Sequence, residues 1–420
     1  MALVARKSIA AQLLQKSLDR QTALAHARLK LKPKQVESAI VAQVEHTNVV
    51  QYNELIKILR EYPLNDDNFK CVVDDCLSCV VLLGRNCVPF VNAVLLLDWA
   101  HRDDTLVTLY STFLIGLVTA HTYHCPSVMR CLVKLFQAKG DDWEENGPSP
   151  KQVKLWSNIH SIIAQIVAIM PMTSDLLMQI VIESFPYYKA GCYANRSYIH
   201  NLIWMSKYLP ALREQLMMAI INRMIVMDVN IVEREKISNK AETQFEMDFD
   251  DPDEVAESLD YSMLEVLNWL QDERDPILHI LCNVFERVVL PTYGIRHVQF
   301  LLLYTISINQ QCADRVLSNL WSVAAGLQGL GPGALATRRT AASHLAGLLA
   351  RCVRIPNSRI INYLKSMTEW CHAYITATQE STTATDNLKA HGAFHAICHS
   401  VFYLIAFKHH HLFNSKESEY

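Results

Sequence analysis

The feature that most constrains this chain is an apolar stripe with a period near 3.6 residues that keeps returning along its length. Between Ala211 and Asp228, the residues Leu212, Leu216, Ile220 and Met224 recur every four positions, while Arg213, Asn222 and Arg223 fall off that line. Such spacing lays one apolar face along an α-helix. Comparable stripes run through Val128, Leu132 and Leu135, and through Leu264, Leu267 and Leu270. A many-stranded sandwich or barrel needs a turn roughly every ten residues. This chain has only 12 Gly and 14 Pro among its 420 residues, with half of all residues hydrophobic. Leu, Met, Ala, Gln and Lys abound instead, and these favour helix. The length exceeds one ordinary core, so two or three domains or one elongated repeat structure is expected.

The helices are punctuated by short breaks. Pro171–Asp175 ends one helix and caps the next, Phe185-Pro186 closes that one, and Leu209-Pro210 separates two more. Proline lacks the N–H a helix interior needs, so it marks these boundaries. The spacing gives helix pairs of roughly 35–45 residues, the period of HEAT or armadillo repeats. The predicted fold is all-α: an elongated HEAT/armadillo-like α-solenoid of antiparallel helix pairs, carrying an acidic disordered insertion. Four segments are expected: a basic arm or helix over 1–36, a first helical block over 37–237, an acidic flexible loop over 238–258 and a second block over 259–420. The loop is crowded with Glu242, Glu246, Asp248, Asp250, Asp251, Asp253, Glu254 and Glu257, too much charge to bury. Gly140–Lys151 reads as a polar loop. Gly326–Gly333 reads as a linker, because it lacks the Lys-Ser/Thr ending of a phosphate loop and follows no strand.

Net charge is −3 and the pI is near 6.6. No field for gripping nucleic acid covers the whole protein, so proteins are the expected partners. The first 36 residues do hold eight Lys/Arg and one acid, Asp19. That faintly suggests a mitochondrial presequence; an exposed basic arm is the favoured reading. Arg6, Lys7, Arg28, Lys30, Lys32 and Lys34 would then give weak, non-specific contact with a DNA backbone. The longest apolar runs, Val88–Leu97 and Ser161–Met170, stop at about ten to twelve residues where a bilayer helix needs about twenty. A soluble protein with no membrane partner is expected.

No catalytic signature emerges: there is no GxSxG, HExxH or strand-borne GxGxxG. The 12 cysteines, scattered from Cys71 to Cys398, suit free thiols in a reducing compartment. Cys76-Leu77-Ser78-Cys79 is a CxxC, open to redox or zinc chemistry, but it lies in an apolar run and favours core thiols. The clusters His121/His124/Cys125 and His409-His410-His411 lack further ligands at metal spacing. No metal, no cofactor and no enzyme activity are expected, which leaves recognition.

Several strings go further. Leu290-Pro291-Thr292-Tyr293-Gly294-Ile295-Arg296-His297-Val298-Gln299-Phe300 is followed by Leu320-Trp321, Arg338-Arg339-Thr340-Ala341-Ala342 and Leu348-Leu349-Ala350-Arg351-Cys352-Val353-Arg354-Ile355-Pro356. Then come His391-Gly392-Ala393-Phe394, Val401-Phe402-Tyr403 and Phe407-Lys408-His409. Earlier lie Ser184-Phe185-Pro186-Tyr187, Tyr198-Ile199-His200-Asn201, Tyr208-Leu209-Pro210-Ala211-Leu212-Arg213 and Met227-Asp228-Val229-Asn230. In this order, over roughly residues 88 to 412, the set resembles the RNA polymerase I-specific transcription initiation factor family.

The resemblance implies a non-catalytic HEAT-repeat protein of the nucleus and nucleolus. It would bind RNA polymerase I and bridge it to the promoter-bound selectivity (core) factor for ribosomal RNA synthesis, under control of regulatory kinases. It places selectivity-factor binding at Arg351, Arg354, Ile355 and Pro356. Physically, Arg351 and Arg354 at i, i+3 would share a helix face ended by Pro356, offering two guanidiniums to an acidic surface; Ile355 reads equally as core. Phosphorylation candidates are Ser149, in a Ser-Pro-Lys loop, and Thr173, at a helix start in a regulated region of the family. Glu246, Asp248, Asp250, Asp251, Asp253 and Glu254 form an acidic docking loop, a family trait. Family members continue past the Phe-Lys-His helix, so an uncapped repeat end, with a homodimer as one consequence, is a further expectation. The alternative reading is a generic HEAT-like adaptor for nuclear transport or complex assembly.

Overall fold

The structure, a computed structural model, describes residues 31–144, 147–238, 252–272, 274–327, 334–379 and 391–413. Among these residues are seventeen α-helices and one two-stranded antiparallel ribbon, β1 (Trp143–Glu144) with β2 (Gly147–Pro148). The chain forms two compact units, residues 1–185 and 186–420. The division falls between Phe185 and Pro186, inside the block expected to run unbroken from 37 to 237. Much of the expected arm, residues 1–30, lies outside the described residues, and its end runs into the first helix.

The first unit holds α1 (Gln35–Val44), α2 (Val49–Glu61), α3 (Asp66–Ser78), α4 (Val88–Leu95), α5 (Asp104–Ala120), α6 (Cys125–Lys134), α7 (Pro150–Ile169) and α8 (Thr173–Glu183). Starts are set locally. The side chains of Asn48, Asn65, Asp103 and Ser149 each accept a backbone N–H three residues on, at the heads of α2, α3, α5 and α7. Each cap satisfies a donor that the helix itself leaves unpaired. Packing is strictly sequential: α1 meets α3, α2 meets α4, α3 meets α5, α4 meets α6, α5 meets α7 and α6 meets α8. A helix that touches its next-but-one neighbour and little beyond is the signature of a stacked repeat. Rings fill the layer between: Phe69, Phe90, Tyr110, Phe113 and Trp156 are buried, and the Tyr110 hydroxyl donates to the Val94 carbonyl at 3.0 Å.

The second unit holds α9 (Cys192–Tyr208), α10 (Arg213–Ser238), α11 (Pro252–Asp272), α12 (Arg274–Val284), α13 (Phe300–Ile308), α14 (Gln310–Ala325), α15 (Ala334–Arg351), α16 (Asn357–Gln379) and α17 (Gly392–Phe413). Here α9 packs on α11, α10 on α11 and α12, α14 on α15, and α17 on both α15 and α16. A π-helical turn, Phe285–Val289, continues α12. Gly326 ends α14 in the left-handed region (φ 77°), where a side chain would be strained and would also meet the Arg338 guanidinium at 2.9 Å.

Two buried aspartates cap helices from a distance. Asp75 on α3 accepts the Lys34 and Val36 N–H groups at 2.9 and 3.0 Å, fixing the head of α1. Asp228 on α10, with no exposed surface, accepts the N–H groups of Arg296, His297 and Val298 at 2.8–3.1 Å, just ahead of α13. Its second oxygen pairs with His297 Nδ1 at 2.7 Å.

Three expectations need correction. The stripe Leu212, Leu216, Ile220, Met224 is indeed buried, but Leu264 is 44% exposed and the inward face of α11 is Leu259, Ser262, Val266, Trp269 and Leu270. Steps of three lag a helical face by about 60° each, so a strict spacing of three leaves the core. The acidic loop expected over 238–258 gives way to helix at Pro252, a residue preformed for a first helical turn. Finally, α15 stops at Arg351, so Arg354 shares no helix face with it. Proline pushes its predecessor out of the helical region, and the chain instead buries both Cys352 and Ile355 in the turn.

Asp228→Ala is expected to lower the unfolding free energy by about 3 kcal/mol, since it strands several buried donors. Asp228→Asn, which keeps one acceptor, should lose less; urea denaturation of both variants measures the difference. A second expectation concerns His344 on α15, whose ring lies edge-on to Phe285 at 5.3 Å and whose pKa burial pulls down to about 4. Between pH 6.5 and about 4 the unfolded chain takes up a proton the folded one refuses, so stability falls on acidification. The loss should be about 3 kcal/mol and should disappear in His344→Phe.

Candidate functional site

The turn joining α15 to α16 presents the most distinctive exposed chemistry. Cys352 and Ile355 point inward, 2% and 4% exposed, while Val353 between them is 92% exposed. Arg351 and Arg354 flank it on the surface, and Pro356 leads into α16, its carbonyl accepting the N–H groups of Arg359 and Ile360. The Cys352 N–H still bonds to the Leu348 carbonyl at 2.9 Å, so the tip hangs from a regular helix end. The Arg351 guanidinium lies 5.8 Å from the centre of the Tyr403 ring on α17, which holds it beside the turn. Two buried anchors thus hold up a β-branched apolar side chain with a cation on either side. That suits a partner offering an apolar contact rimmed by carboxylates. Of the four residues expected here, Arg351, Arg354 and Pro356 are at the surface and Ile355 is core. Val353 was not singled out, although a β-branched apolar residue between arginines just before a proline is the signal that could have found it.

The other expected sites are dispersed. Ser149 is the N-cap of α7, its hydroxyl accepting the Gln152 N–H at 3.3 Å. Thr173 opens α8; its hydroxyl donates to the Met170 carbonyl at 2.7 Å, tying it to the end of α7. Both are half-buried at helix N-termini, where the helix dipole favours the negative charge of a phosphate. Glu246, Asp248, Asp250 and Asp251 lie outside the described residues. Asp253 and Glu254 belong to the first turn of α11. The Glu254 carboxylate sits over Gly191 at the head of α9, 3.3 Å from where a Cβ would stand, so it complements that helix dipole.

The remaining candidates are structural. Cys76 and Cys79 are buried, and burial drives the Cys76 thiol well up and the Cys79 thiol up to about 12. His121 and His124 bond through Nε2 to the carbonyls of Val80, Val81 and Leu83, stitching the head of α6 to the turn after α3. Among the described residues no group of three or more His, Cys, Asp or Glu could hold a metal. No single helix there is long and apolar enough to cross a membrane. A shallow polar groove is lined by Glu286, Arg315, Ser318, Asn319 and Ser322, with Arg315 bonded to Asn283 Oδ1 at 2.6 Å.

Several of the strings that carry the resemblance supply contacts that hold the second unit together. Met227–Asn230 meets Ile295–Val298 through Asp228. Arg338 donates to the Ala324 carbonyl at 3.0 Å and lies over Trp370. His391 bonds the Tyr374 hydroxyl at 2.9 Å, and Tyr374 stacks between Trp370 and Phe394. His200 and Arg196 both reach Glu265; burial drives that carboxyl up, but the His200 and Arg196 bonds and charges outweigh it and hold it below the usual range.

Fold and surface together define the class: an all-α helical-repeat protein. A family model described as RNA polymerase I specific transcription initiation factor RRN3 matches residues 26–275 and 261–419, and the chain belongs to that family. The family is one of initiation factors rather than enzymes. The chain is 27% identical over 409 residues to the RNA polymerase I-specific transcription initiation factor RRN3 of Mus musculus, covering 85% of this chain and 61% of the mouse protein. It is 24% identical to the factor rrn3 of Schizosaccharomyces pombe, covering 82% and 63%. It therefore spans about three fifths of the length of these relatives. The crystal structure of RNA polymerase I transcription initiation factor Rrn3 superposes with a TM-score of 0.73 at 16% identity, covering 92% of this chain and 78% of that one, a likeness of fold.

Ser149→Ala is expected to cost about 1 kcal/mol of stability through the lost cap, whereas Ser149→Asp keeps an acceptor and should cost little. Thermal denaturation of the two variants separates these outcomes.

Proposed function

We propose that this chain is a non-catalytic initiation factor that binds RNA polymerase I in the nucleus, in the nucleolus in particular, for ribosomal RNA synthesis. The observation that carries this reading is the match of the RRN3 family model to residues 26–275 and 261–419, nearly the whole chain. We further propose that the α15–α16 turn is the bridge to the promoter-bound selectivity factor. Its support is geometric: Val353 is 92% exposed, Arg351 and Arg354 flank it, and buried Cys352 and Ile355 pin the turn. A rigid apolar tip between two guanidiniums loses little entropy on docking and discriminates by charge.

Regulation by kinases fits two helix heads. A phosphate on Ser149 or Thr173 would be held at the head of α7 or α8, changing the local charge by about −2 without unfolding the helix. It would act by repelling an acidic partner surface or by recruiting a basic one.

Two experiments test the proposal. In the double variant Arg351→Glu, Arg354→Glu, affinity for purified selectivity factor should fall roughly tenfold or more, as expected for charge reversal at a contact, while the melting temperature and polymerase binding hold. Unchanged affinity would remove the turn from the interface. For Ser149 and Thr173, aspartate variants should differ from alanine variants in polymerase binding; equal binding by all four would exclude both sites.

A further inference from the structure

The last two helices bring a pair of thiols together that neither the fold nor the proposed function uses. Of the twelve cysteines, eight are buried and four are half-buried. Two of those four, Cys71 and Cys131, are on α3 and α6 of the first unit. The other two, Cys371 on α16 and Cys398 on α17, lie with their Sγ atoms 3.7 Å apart.

The approach is built into the packing. Tyr374, one turn beyond Cys371, stacks on Phe394, one turn before Cys398, with ring centres 5.1 Å apart and planes 17° apart. The Tyr374 hydroxyl also bonds His391 at 2.9 Å, and Trp370, next to Cys371, stacks on Tyr374 at 5.3 Å and donates to the Ala325 carbonyl. From the other side, Ser400 donates to the Ala342 carbonyl at 3.1 Å, seating α17 on α15. The two helices run antiparallel, and these contacts set the register that puts the two sulfurs opposite each other. A disulfide needs sulfurs about 2 Å apart, and these two already stand in van der Waals contact at 3.7 Å.

We propose that Cys371 and Cys398 are a redox-modification site: hydrogen peroxide converts the facing thiols into a disulfide that ties α16 to α17, and a dithiol reopens it. The chemistry balances. One thiolate attacks a peroxide oxygen, the O–O bond breaks, and the sulfur becomes a sulfenic acid while the leaving oxygen departs as water. The second sulfur then attacks the sulfenic sulfur, the S–O bond breaks, and a second water leaves with the remaining thiol proton. Two thiols are oxidised by two electrons and one peroxide is reduced to two waters. Burial and the neighbouring sulfur push the Cys371 thiol up to about 12, and both thiols are half-buried, so either can meet the oxidant while the other resolves. A second close pair, Cys282 and Cys312, is fully buried and closed to reagents.

The test treats the folded 420-residue chain with hydrogen peroxide in stoichiometric steps, followed by alkylation and non-reducing peptide mass spectrometry. The expected result is loss of two reactive thiols, a single crosslinked species joining the peptides of Cys371 and Cys398, and full recovery with dithiothreitol. Oxidised protein should melt about 5 °C higher than reduced, because the link closes a loop within the unfolded chain. In Cys371→Ser and in Cys398→Ser a 1,3-dione probe should trap sulfenic acid on the cysteine that remains. Oxidation that ends in scattered adducts, or crosslinks other than Cys371–Cys398 while the chain stays folded, would overturn the proposal. So would intact thiols after excess peroxide.

Discussion

The second unit depends on one buried carboxylate. Asp228 has no exposed surface, yet it stands where three successive backbone N–H groups and an imidazole converge. A helix start leaves N–H groups unpaired, and burying them unpaired is costly. Here the donors belong to the segment entering α13 while the acceptor belongs to α10, so the cap is also a tertiary link. It fixes the loop from Pro291 to Gln299 against a helix some seventy residues earlier, which sequential packing alone would not do. Asp75 performs the same service for α1 in the first unit. In a repeat fold, where neighbours touch mainly neighbours, such links limit fraying of each layer.

Much of the architecture was legible in the sequence because burial in a two-layer helical stack is periodic. The positions 212, 216, 220 and 224 repeat every four residues, and all four are buried. The breaks at Pro171, Pro186 and Pro210 fall between helices because a missing N–H acts locally. What pattern could not supply was tertiary. Asp228 in Met-Asp-Val-Asn looks like a polar residue near the end of an apolar stripe; its partners are at 296–298. Glu265 replaces an apolar residue on an inward face because Arg196 and His200 reach it from α9.

The candidate surface was legible as a string and not as a shape. The i, i+3 spacing of Arg351 and Arg354 predicts one helix face, but burying Cys352 and Ile355 unwinds the chain after Arg351 and lifts Val353 to the tip. The strings that carried the family resemblance follow one rule: Asp228 with His297, Arg338 with Trp370, and His391 with Tyr374 are pairs from distant segments that hold the fold. The turn at 351–356 combines packing with presentation: Cys352 and Ile355 are buried, while Val353 stands exposed between Arg351 and Arg354. That pinned, exposed tip between two guanidiniums is the physical ground for the contact proposed there.

The central claim is that this chain engages RNA polymerase I. The most direct test immobilises it and exposes it to nuclear extract, with captured proteins quantified by mass spectrometry. The account predicts enrichment of RNA polymerase I subunits well above those of polymerases II and III. Equal, background-level recovery of all three polymerases by a folded chain would contradict it.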